Sequence, residues 1–224
     1  MKKEFKYVGS TFPCDHGVRK VTGDLDYCCD VKLANILYAK LLLSPIPHGI
    51  VKKIDTSRAE KVPGVIKIFS HLNAPDKMFS SYRIIPGQQM CFADETLFAE
   101  RVKYVGDRVA AVVATSFAAA REAASLINVE YEELPALLTP EEALNNGEVK
   151  IQPRGNVVHE YVVDVGDVPS TTEDCITMES ETQTQRIHHG AIETHGCIAY
   201  YDTSGKLTIW TPTQSVYGVR TVVA

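Results

Sequence analysis

The stretch VKYVGDRVAAVVA, residues 102–114, is an apolar run that Gly106-Asp107 interrupts. Valine-rich runs bounded by turn residues are typical of buried β-strands. We therefore predict a buried strand pair around a tight turn at Gly106-Asp107. The neighbouring elements can be placed outward from this pair by the same rules.

Further strands are predicted on the N-terminal side of this stretch. ILYAKLLL, residues 36–43, is nearly all apolar and ends at Ser44-Pro45-Ile46-Pro47, which predicts a buried strand that two prolines stop. The other elements predicted here are strands at Ile50–Ile54 and Val65–Phe69, a short helix through Arg58–Lys61 with capping residues at Asp55-Thr56-Ser57, and a turn at Pro63-Gly64.

A helix and a strand are predicted on the C-terminal side. Apolar residues recur at spacings of three and four from Phe117 to Ile127, and Ser116 or Thr115 can cap this segment, so it predicts a helix with one apolar face. A short strand at Asn128–Tyr131 follows. Thr139-Pro140-Glu141-Glu142 has the residues of a capping box with a proline in the first turn. Residues 16–135 are therefore predicted to form an α+β domain, after a lead-in at residues 1–15.

The remainder of the chain divides into a linker and a second unit. Residues 136–171 contain scattered glycines and prolines around one alternating patch, HEYVVDV, which predicts a linker with at most one strand. Residues 172–224 are predicted to be β-rich, with a hairpin in which Gly196–Tyr201 and Lys206–Trp210 flank Asp202-Thr203-Ser204-Gly205. About 50 residues are few for an independent core, so this unit is expected to be incomplete.

Composition excludes two classes of partner. The net charge of −5 and the pI of about 5.8, with no cluster of lysine and arginine, argue against a nucleic-acid surface. No apolar run approaches the roughly 20 residues that cross a bilayer, and the N-terminus shows no signal-peptide core. The sequence thus predicts no nucleic-acid partner, no membrane association and a cytoplasmic location. A hydrophobic content of 45% is sufficient for a globular core.

Cysteine and histidine patterns give weak signals for metal chemistry. The cysteines show neither zinc nor iron–sulfur spacing, and we interpret them as small buried side chains: Cys14, Cys28, Cys29, Cys91, Cys175 and Cys197. A metal site can be considered at a second group, where H-x4-E and H-x5-H spacings occur, but its surroundings look extended, which favours structural or substrate-channel positions: His188, His189, Glu193 and His195.

The segment IWTPTQ, residues 209–214, places an uncharged amide after a β-like run and a proline. At such a position the Gln214 side chain can face a site instead of the core. From these residues alone, Gln214 is either a surface amide at a strand end or a hydrogen-bond donor to a bound group.

Four segments together resemble one enzyme family. Residues 102–144 and 37–70, which include VKYVGDRVAAVVATSFAAAREAASL and LYAKLLLSPIPHGIVKKID, resemble the α/β hammerhead domain of the xanthine dehydrogenase and aldehyde oxidase family. ESETQTQRIHHGAIETHGC, residues 179–197, and LTIWTPTQSVYGVR, residues 207–220, resemble the entry into that family's molybdopterin-binding domain. The resemblance spans residues 6–224 but only the first part of the family's molybdenum subunit.

The resemblance implies a molybdenum–molybdopterin cofactor that is shared with polypeptide outside these residues. It implies that Gln214 lies beside the metal's oxo ligand, where a neutral amide donor polarises that group without adding charge. It assigns no metal ligand here, because the metal is held by pterin sulfurs, and no catalytic base, because the family's glutamate base is in a later segment. Iron–sulfur and FAD groups are expected only on partner subunits.

The resemblance also implies a function. We expect oxidative hydroxylation of a small molecule, namely a purine, another N-heterocycle or an aldehyde, with water as the oxygen source. The chain is expected to be an N-terminal fragment or a split subunit that needs the remaining molybdopterin-domain polypeptide. The alternative is a non-catalytic module that docks subunits of an oxidoreductase.

Overall fold

The structure is a computed structural model that describes residues 5, 7–81, 93–158, 160, 162–166, 176 and 178–224. The chain divides into two compact units. The larger unit comprises Ala34–Ser180 and Ser215–Ala224, and the smaller unit comprises Met1–Leu33 and Glu181–Gln214. The predicted domain limits at residues 16, 135 and 171 stay predictions.

The chain contains both helices and strands, as expected for an α+β protein. In chain order they are α1 (Gly17–Thr22), β1 (Tyr38–Leu43), β2 (Gly49–Asp55), β3 (Val65–Ser70), β4 (Arg101–Val102), β5 (Arg108–Ala114), α2 (Phe117–Leu126), β6 (Asn128–Glu133), α3 (Pro140–Asn145), β7 (Ile198–Tyr201), β8 (Leu207–Trp210) and α4 (Val216–Val223), with 3₁₀ turns at Cys28–Asp30 and Ala59–Lys61.

The larger unit contains two antiparallel three-stranded sheets. One has the order β1-β5-β3 and the other has the order β4-β2-β6. In the first sheet, Ala111 of β5 lies opposite Leu41 of β1 and Phe69 of β3. The central strand β5 is therefore paired along both edges, which satisfies its backbone groups.

The main core lies between α2 and the face of the first sheet that carries Val112. Helix α2 begins after Ser116, whose side chain accepts a 3.2 Å hydrogen bond from the Ala119 N–H. Small side chains on one face of the helix permit a close approach to the sheet. The buried residues of this core are Ala59, Val62, Ile68, Ala110, Val112, Ala114, Ala119, Ala120, Ala123, Ala124 and Ile127.

A buried histidine fixes the end of the second sheet. His48 is 2% exposed, and its Nδ1 lies 2.6 Å from the carbonyl oxygen of Pro135. Its Nε2 lies 3.1 Å and 3.0 Å from two nitrogens of the Arg101 guanidinium, which also donates to the carbonyl of Lys150. Because a guanidinium only donates and a carbonyl only accepts, His48 is neutral with its proton on Nδ1.

The turn at Gly106-Asp107 is confirmed, but the strands beside it do not pair with each other. Gly106 has φ +98°, and its N–H donates to the Ser44 carbonyl while the Ser44 N–H donates to the Asp107 carbonyl, both at 2.8 Å. The turn is thereby tied to the end of β1. Strand β4 pairs with β2, whereas β5 lies in the other sheet, so the predicted strand pair is wrong.

Two further predictions need correction. Strand β1 is present at a sheet edge but mostly exposed, with Leu41 44% and Leu43 47% accessible, so the prediction that it is buried is wrong. The short helix is the 3₁₀ turn Ala59–Lys61, and it lacks a side-chain cap, since the Asp55 carboxylate accepts from the Ser57 N–H instead.

The capping box predicted at Thr139-Pro140-Glu141-Glu142 is confirmed. The capping box of α3 is present, with the Thr139 side chain accepting from the Glu142 N–H and the Glu142 carboxylate accepting from the Thr139 N–H. Of the HEYVVDV patch, His159 and Tyr161 lie outside the described residues, and residues 162–165 contain no strand.

The smaller unit is built from α1, a 3₁₀ turn and the predicted hairpin of β7 and β8. Asp202 organises the hairpin turn, because its carboxylate accepts from the N–H groups of Ser204 and Lys206 at 2.9 Å. Gly205 provides the positive φ of +86°. In contrast to the larger unit, no described residue of this unit is buried.

Helix α4 is not predicted from the sequence. Its N-cap is Ser215, whose hydroxyl accepts from the Gly218 N–H at 3.2 Å. Of the helices in the described part of the chain, none combines the length and apolarity needed to span a bilayer.

Ala120→Leu should destabilise the larger unit by about 1–3 kcal/mol, because Ala120 is fully buried against the sheet and three extra carbons overpack the core. Ala118→Leu is the matched control, since Ala118 is on the exposed face of α2. Denaturant unfolding measures both variants, and equal stability of the two would contradict this packing.

Gly106→Val should destabilise the same unit by about 1–2 kcal/mol, because a β-branched side chain disfavours a positive φ. No atom lies within 4 Å of a Cβ built at Gly106, so the cost comes from the backbone alone. Gly147→Val is the control, because Gly147 is equally open but has no positive φ. An unchanged melting temperature for Gly106→Val would refute the turn conformation.

Candidate functional site

The candidate site lies at the open end of the hairpin in the smaller unit. Ile198 of β7 pairs with Trp210 of β8, and residues 211–214 continue directly from β8. The Thr211 hydroxyl donates a 3.1 Å hydrogen bond to the Gly196 carbonyl, just before β7. This hydrogen bond connects the two chain segments just beyond the last residue pair of the ladder. It fixes the start of the loop at residues 211–214.

Gln214 is at the end of this loop, and its side chain is exposed. Within the described residues, its amide group has no hydrogen-bond partner. An amide carries two N–H donors and a carbonyl acceptor. The predicted site residue is therefore available to bind a group from outside these residues.

Cys28 closes the open end of the hairpin. Its thiol lies 3.3 Å from the Trp210 carbonyl oxygen, to which it donates. The thiol is thus tied to the last residue pair of the ladder, Ile198 and Trp210. Partial burial raises the pKa of the Cys28 thiol, the Ile198 N–H acts in the opposite direction, and the nearby Glu193 carboxylate raises the pKa further. The thiol therefore stays protonated and keeps its donor.

Glu193 holds Cys28 from the other side. Its carboxylate Oε1 accepts a 2.8 Å hydrogen bond from the Cys28 backbone N–H. Hydrogen bonds to a charged acceptor are stronger than those between neutral groups. Glu193 is thus engaged in a structural contact, in accordance with the structural interpretation of this segment.

The histidines near Glu193 do not gather around a common point. The rings of His188 and His189 stack with centroids 5.4 Å apart, and His188 Nδ1 accepts from the Gly190 N–H. His195 is exposed. Across the described ranges there is no group of three or more histidine, cysteine or carboxylate side chains that could hold a metal ion.

The other cysteines contribute little to the site. The interpretation as buried side chains is wrong for Cys14, Cys29 and Cys197, which are free and exposed. The Cys29 sulfur is 4.0 Å from a carboxylate oxygen of Asp30. Cys91 and Cys175 lie outside the described residues. Of the described cysteines, Cys28 alone is partly buried.

The larger unit contains a polar cavity of about 530 Å³. Arg108 in its wall pairs with Glu95 at 3.0 Å, and Gln152 donates to Asp94 at 2.9 Å. Arg108 Nε and Gln152 Oε1 are buried there without a partner among the described residues. Such isolated donors and acceptors are commonly satisfied by ordered water, so this cavity shows no set of groups that carries chemistry.

Sequence reasoning missed the contact between Cys28 and Glu193. The two residues are 165 positions apart, and neither lies in a spacing pattern that indicates contact. In the sequence, Cys28 and Cys29 are noticeable only as two neighbouring cysteines. This observation does not distinguish the hydrogen-bonded thiol of Cys28 from the exposed thiol of Cys29.

Comparison with known proteins identifies both parts of the chain. Residues 22–135 match the family model described as aldehyde oxidase and xanthine dehydrogenase, a/b hammerhead domain. Residues 151–224 match the molybdopterin cofactor-binding domain. The two matches occur in the order that the sequence resemblance implies.

Individual relatives are similar over almost the whole chain. It is 33% identical over 210 residues to the xanthine dehydrogenase molybdenum-binding subunit of Escherichia coli O157:H7, which covers 92% of this chain and 28% of the relative. It is 29% identical over 225 residues to the nicotinate dehydrogenase large molybdopterin subunit of Eubacterium barkeri, covering 100% of this chain and 51% of the relative.

A solved structure is similar as well. Quinoline 2-oxidoreductase from Pseudomonas putida 86 superposes with a TM-score of 0.77 at 30% identity, covering 96% of this chain and 28% of that chain. The present chain therefore spans between about a quarter and a half of the length of these relatives. On the match of its hammerhead domain, the chain belongs to the aldehyde oxidase and xanthine dehydrogenase family.

Proposed function

We propose that this chain forms the first part of the molybdenum-binding portion of a hydroxylase that uses water as its oxygen source. The observation that carries the proposal is the match of residues 151–224 to the molybdopterin cofactor-binding domain. Three relatives support the substrate class that we propose, since xanthine, nicotinate and quinoline in their names are all nitrogen heterocycles. We therefore favour a purine or another N-heterocycle over an aldehyde.

Activity requires further polypeptide, which we propose completes the molybdopterin-binding domain. Support comes from the smaller unit, where large apolar side chains such as Ile187 and Ile192 are 80% and 88% exposed. Apolar burial is the main stabilising contribution in folding, so this unit gains its core when additional segments cover it. Those segments belong either to the same chain or to a separate subunit.

The length of the relatives supports both arrangements. The chain covers 28% of the xanthine dehydrogenase subunit but 51% of the nicotinate dehydrogenase subunit, so the latter is a much shorter polypeptide. Iron–sulfur and flavin subunits are the proposed electron-transfer partners, and the proposed location is the cytoplasm.

The residues present fit a molybdenum–pterin group in one respect. Gln214 offers a neutral and exposed amide, without a partner among the described residues, at the end of a loop that the Thr211 hydroxyl fixes. In the described ranges no side-chain cluster competes as a direct ligand set for a metal ion. Gln214 is therefore the residue that we assign to the cofactor, as a hydrogen-bond donor and not as a ligand.

In this proposal the chain positions the side-chain amide dipole of Gln214 beside the cofactor. When bound, the molybdenum–pterin group supplies two-electron oxidation chemistry, in which a substrate C–H and water yield C–OH, two protons and two electrons. The Gln214 N–H donates a hydrogen bond, which stabilises negative charge that develops during the reaction. Because the amide is neutral, it adds no charge of its own. A preorganised donor of this kind needs no rearrangement at the moment of reaction.

Gln214→Ala in the completed assembly should lower kcat roughly 10²–10³-fold, the loss that removal of a preorganised donor causes elsewhere. Molybdenum and pterin content should be unchanged, because the side chain does not ligate the metal. Gln185→Ala is the matched control, since Gln185 is an exposed glutamine of the same unit. Steady-state kinetics and metal analysis measure both.

Unchanged turnover of Gln214→Ala at full molybdenum content would refute the assigned role of this residue. An assembly that contains this chain but lacks hydroxylase activity and molybdenum would instead support the non-catalytic docking module.

A further inference from the structure

We propose that Cys28 and Glu193 are positioning residues that set the placement of Gln214 in the reaction. This inference rests on the proposed function, because it concerns the same amide. It goes further by assigning a role in the site to two residues that do not touch the cofactor, one of them in the N-terminal segment.

The Cys28 thiol lies at the open end of the hairpin. Strands β7 and β8 end at the pair Ile198 and Trp210, and beyond this pair the ladder has no further rung. The thiol donates to the Trp210 carbonyl oxygen at 3.3 Å, so it holds β8 at the last pair of the ladder. Terminal pairs of a two-stranded hairpin separate readily, because an isolated hairpin is marginally stable. The thiol opposes that separation.

Cys28 is itself held in place by Glu193. Its backbone N–H donates to Glu193 Oε1 at 2.8 Å, and Glu193 is five residues before β7 begins at Ile198. Glu193 therefore ties the 3₁₀ turn Cys28–Asp30 to the strand that its own segment enters. The two contacts form one chain from Glu193 through Cys28 to Trp210.

Gln214 lies four positions after Trp210 along the chain, and the Thr211–Gly196 hydrogen bond fixes the first of these positions. No described residue of this unit is buried, so polar contacts and not core packing determine where the loop lies. Displacement of the Trp210 carbonyl thus moves the loop and the amide with it. A misplacement of about 1 Å in an active site can cost roughly 100-fold in rate.

The test uses the completed holoenzyme with four variants: Cys28→Ala, Cys28→Ser, Cys29→Ala and the double variant Cys28→Ala/Gln214→Ala. Cys28→Ala should lower kcat by about tenfold or more with little change in KM. The substitution misplaces the Gln214 hydrogen bond, which acts during the reaction and not in substrate binding. Cys28→Ser should restore most of the activity, since a hydroxyl also donates and accepts. Cys29→Ala, the exposed neighbour, should match the wild type.

Two readouts separate positioning from a general loss of structure. The double variant should be no slower than Gln214→Ala alone, because both changes remove the same contact. The electron paramagnetic resonance signal of partly reduced molybdenum should change in the same way in Cys28→Ala and Gln214→Ala at equal molybdenum content. Glu193→Gln, which weakens the anchor without removing the side chain, should shift this signal in the same direction, and it serves if Cys28→Ala fails to assemble.

The outcomes distinguish this inference from the function on which it rests. If Gln214→Ala is slow but Cys28→Ala and Glu193→Gln have wild-type kcat and signal, the positioning role is wrong and the proposed function stands. If the double variant loses far more than Gln214→Ala, Cys28 acts on structure in general and the inference is also wrong. If Gln214→Ala itself has wild-type turnover, both proposals are overturned.

Discussion

The packing of an alanine face on a central strand is the constraint on which the larger unit depends. Strand β5 is paired along both edges, and Ala110, Val112 and Ala114 lie under the alanines of α2. Because these side chains are small, helix and sheet backbones approach closely and the core tolerates little change in volume. The turn at Gly106 then delivers the chain from the second sheet to this strand. This turn is one of several connections between the two sheets.

The smaller unit is held together in a different way. It has no buried side chain in its described part, and its order comes from hydrogen bonds at the hairpin turn, at Thr211 and around Cys28. Net contributions of single hydrogen bonds are small, about 0.5–1.5 kcal/mol each. In the proposed function, further polypeptide covers the apolar surface of this unit. The chain spans 28% of the relative from Escherichia coli.

Local features of the fold could be predicted from the sequence, whereas long-range contacts could not. The caps at Ser116 and Thr139 and the hairpin turn at Asp202 were predicted because each depends on residues a few positions apart. The separation of β4 and β5 into different sheets was missed, since an apolar run interrupted by Gly-Asp does not indicate which neighbour each half pairs with. The exposure of β1 was missed because apolarity indicates only that a surface needs a partner. Gln214 could be singled out through its flanking residues, but its proposed support by Cys28 depends on the contact of Cys28 with Trp210, across 182 positions.

The proposed function places this chain beside a molybdenum–pterin group, in an assembly with additional polypeptide. The most direct measurement is isolation of the native assembly through this chain, followed by quantification of molybdenum and pterin and identification of every co-purifying chain. We expect molybdenum and pterin in amounts stoichiometric with the chain, together with the polypeptide that completes the molybdopterin-binding domain. An intact native assembly without molybdenum and pterin would contradict the account.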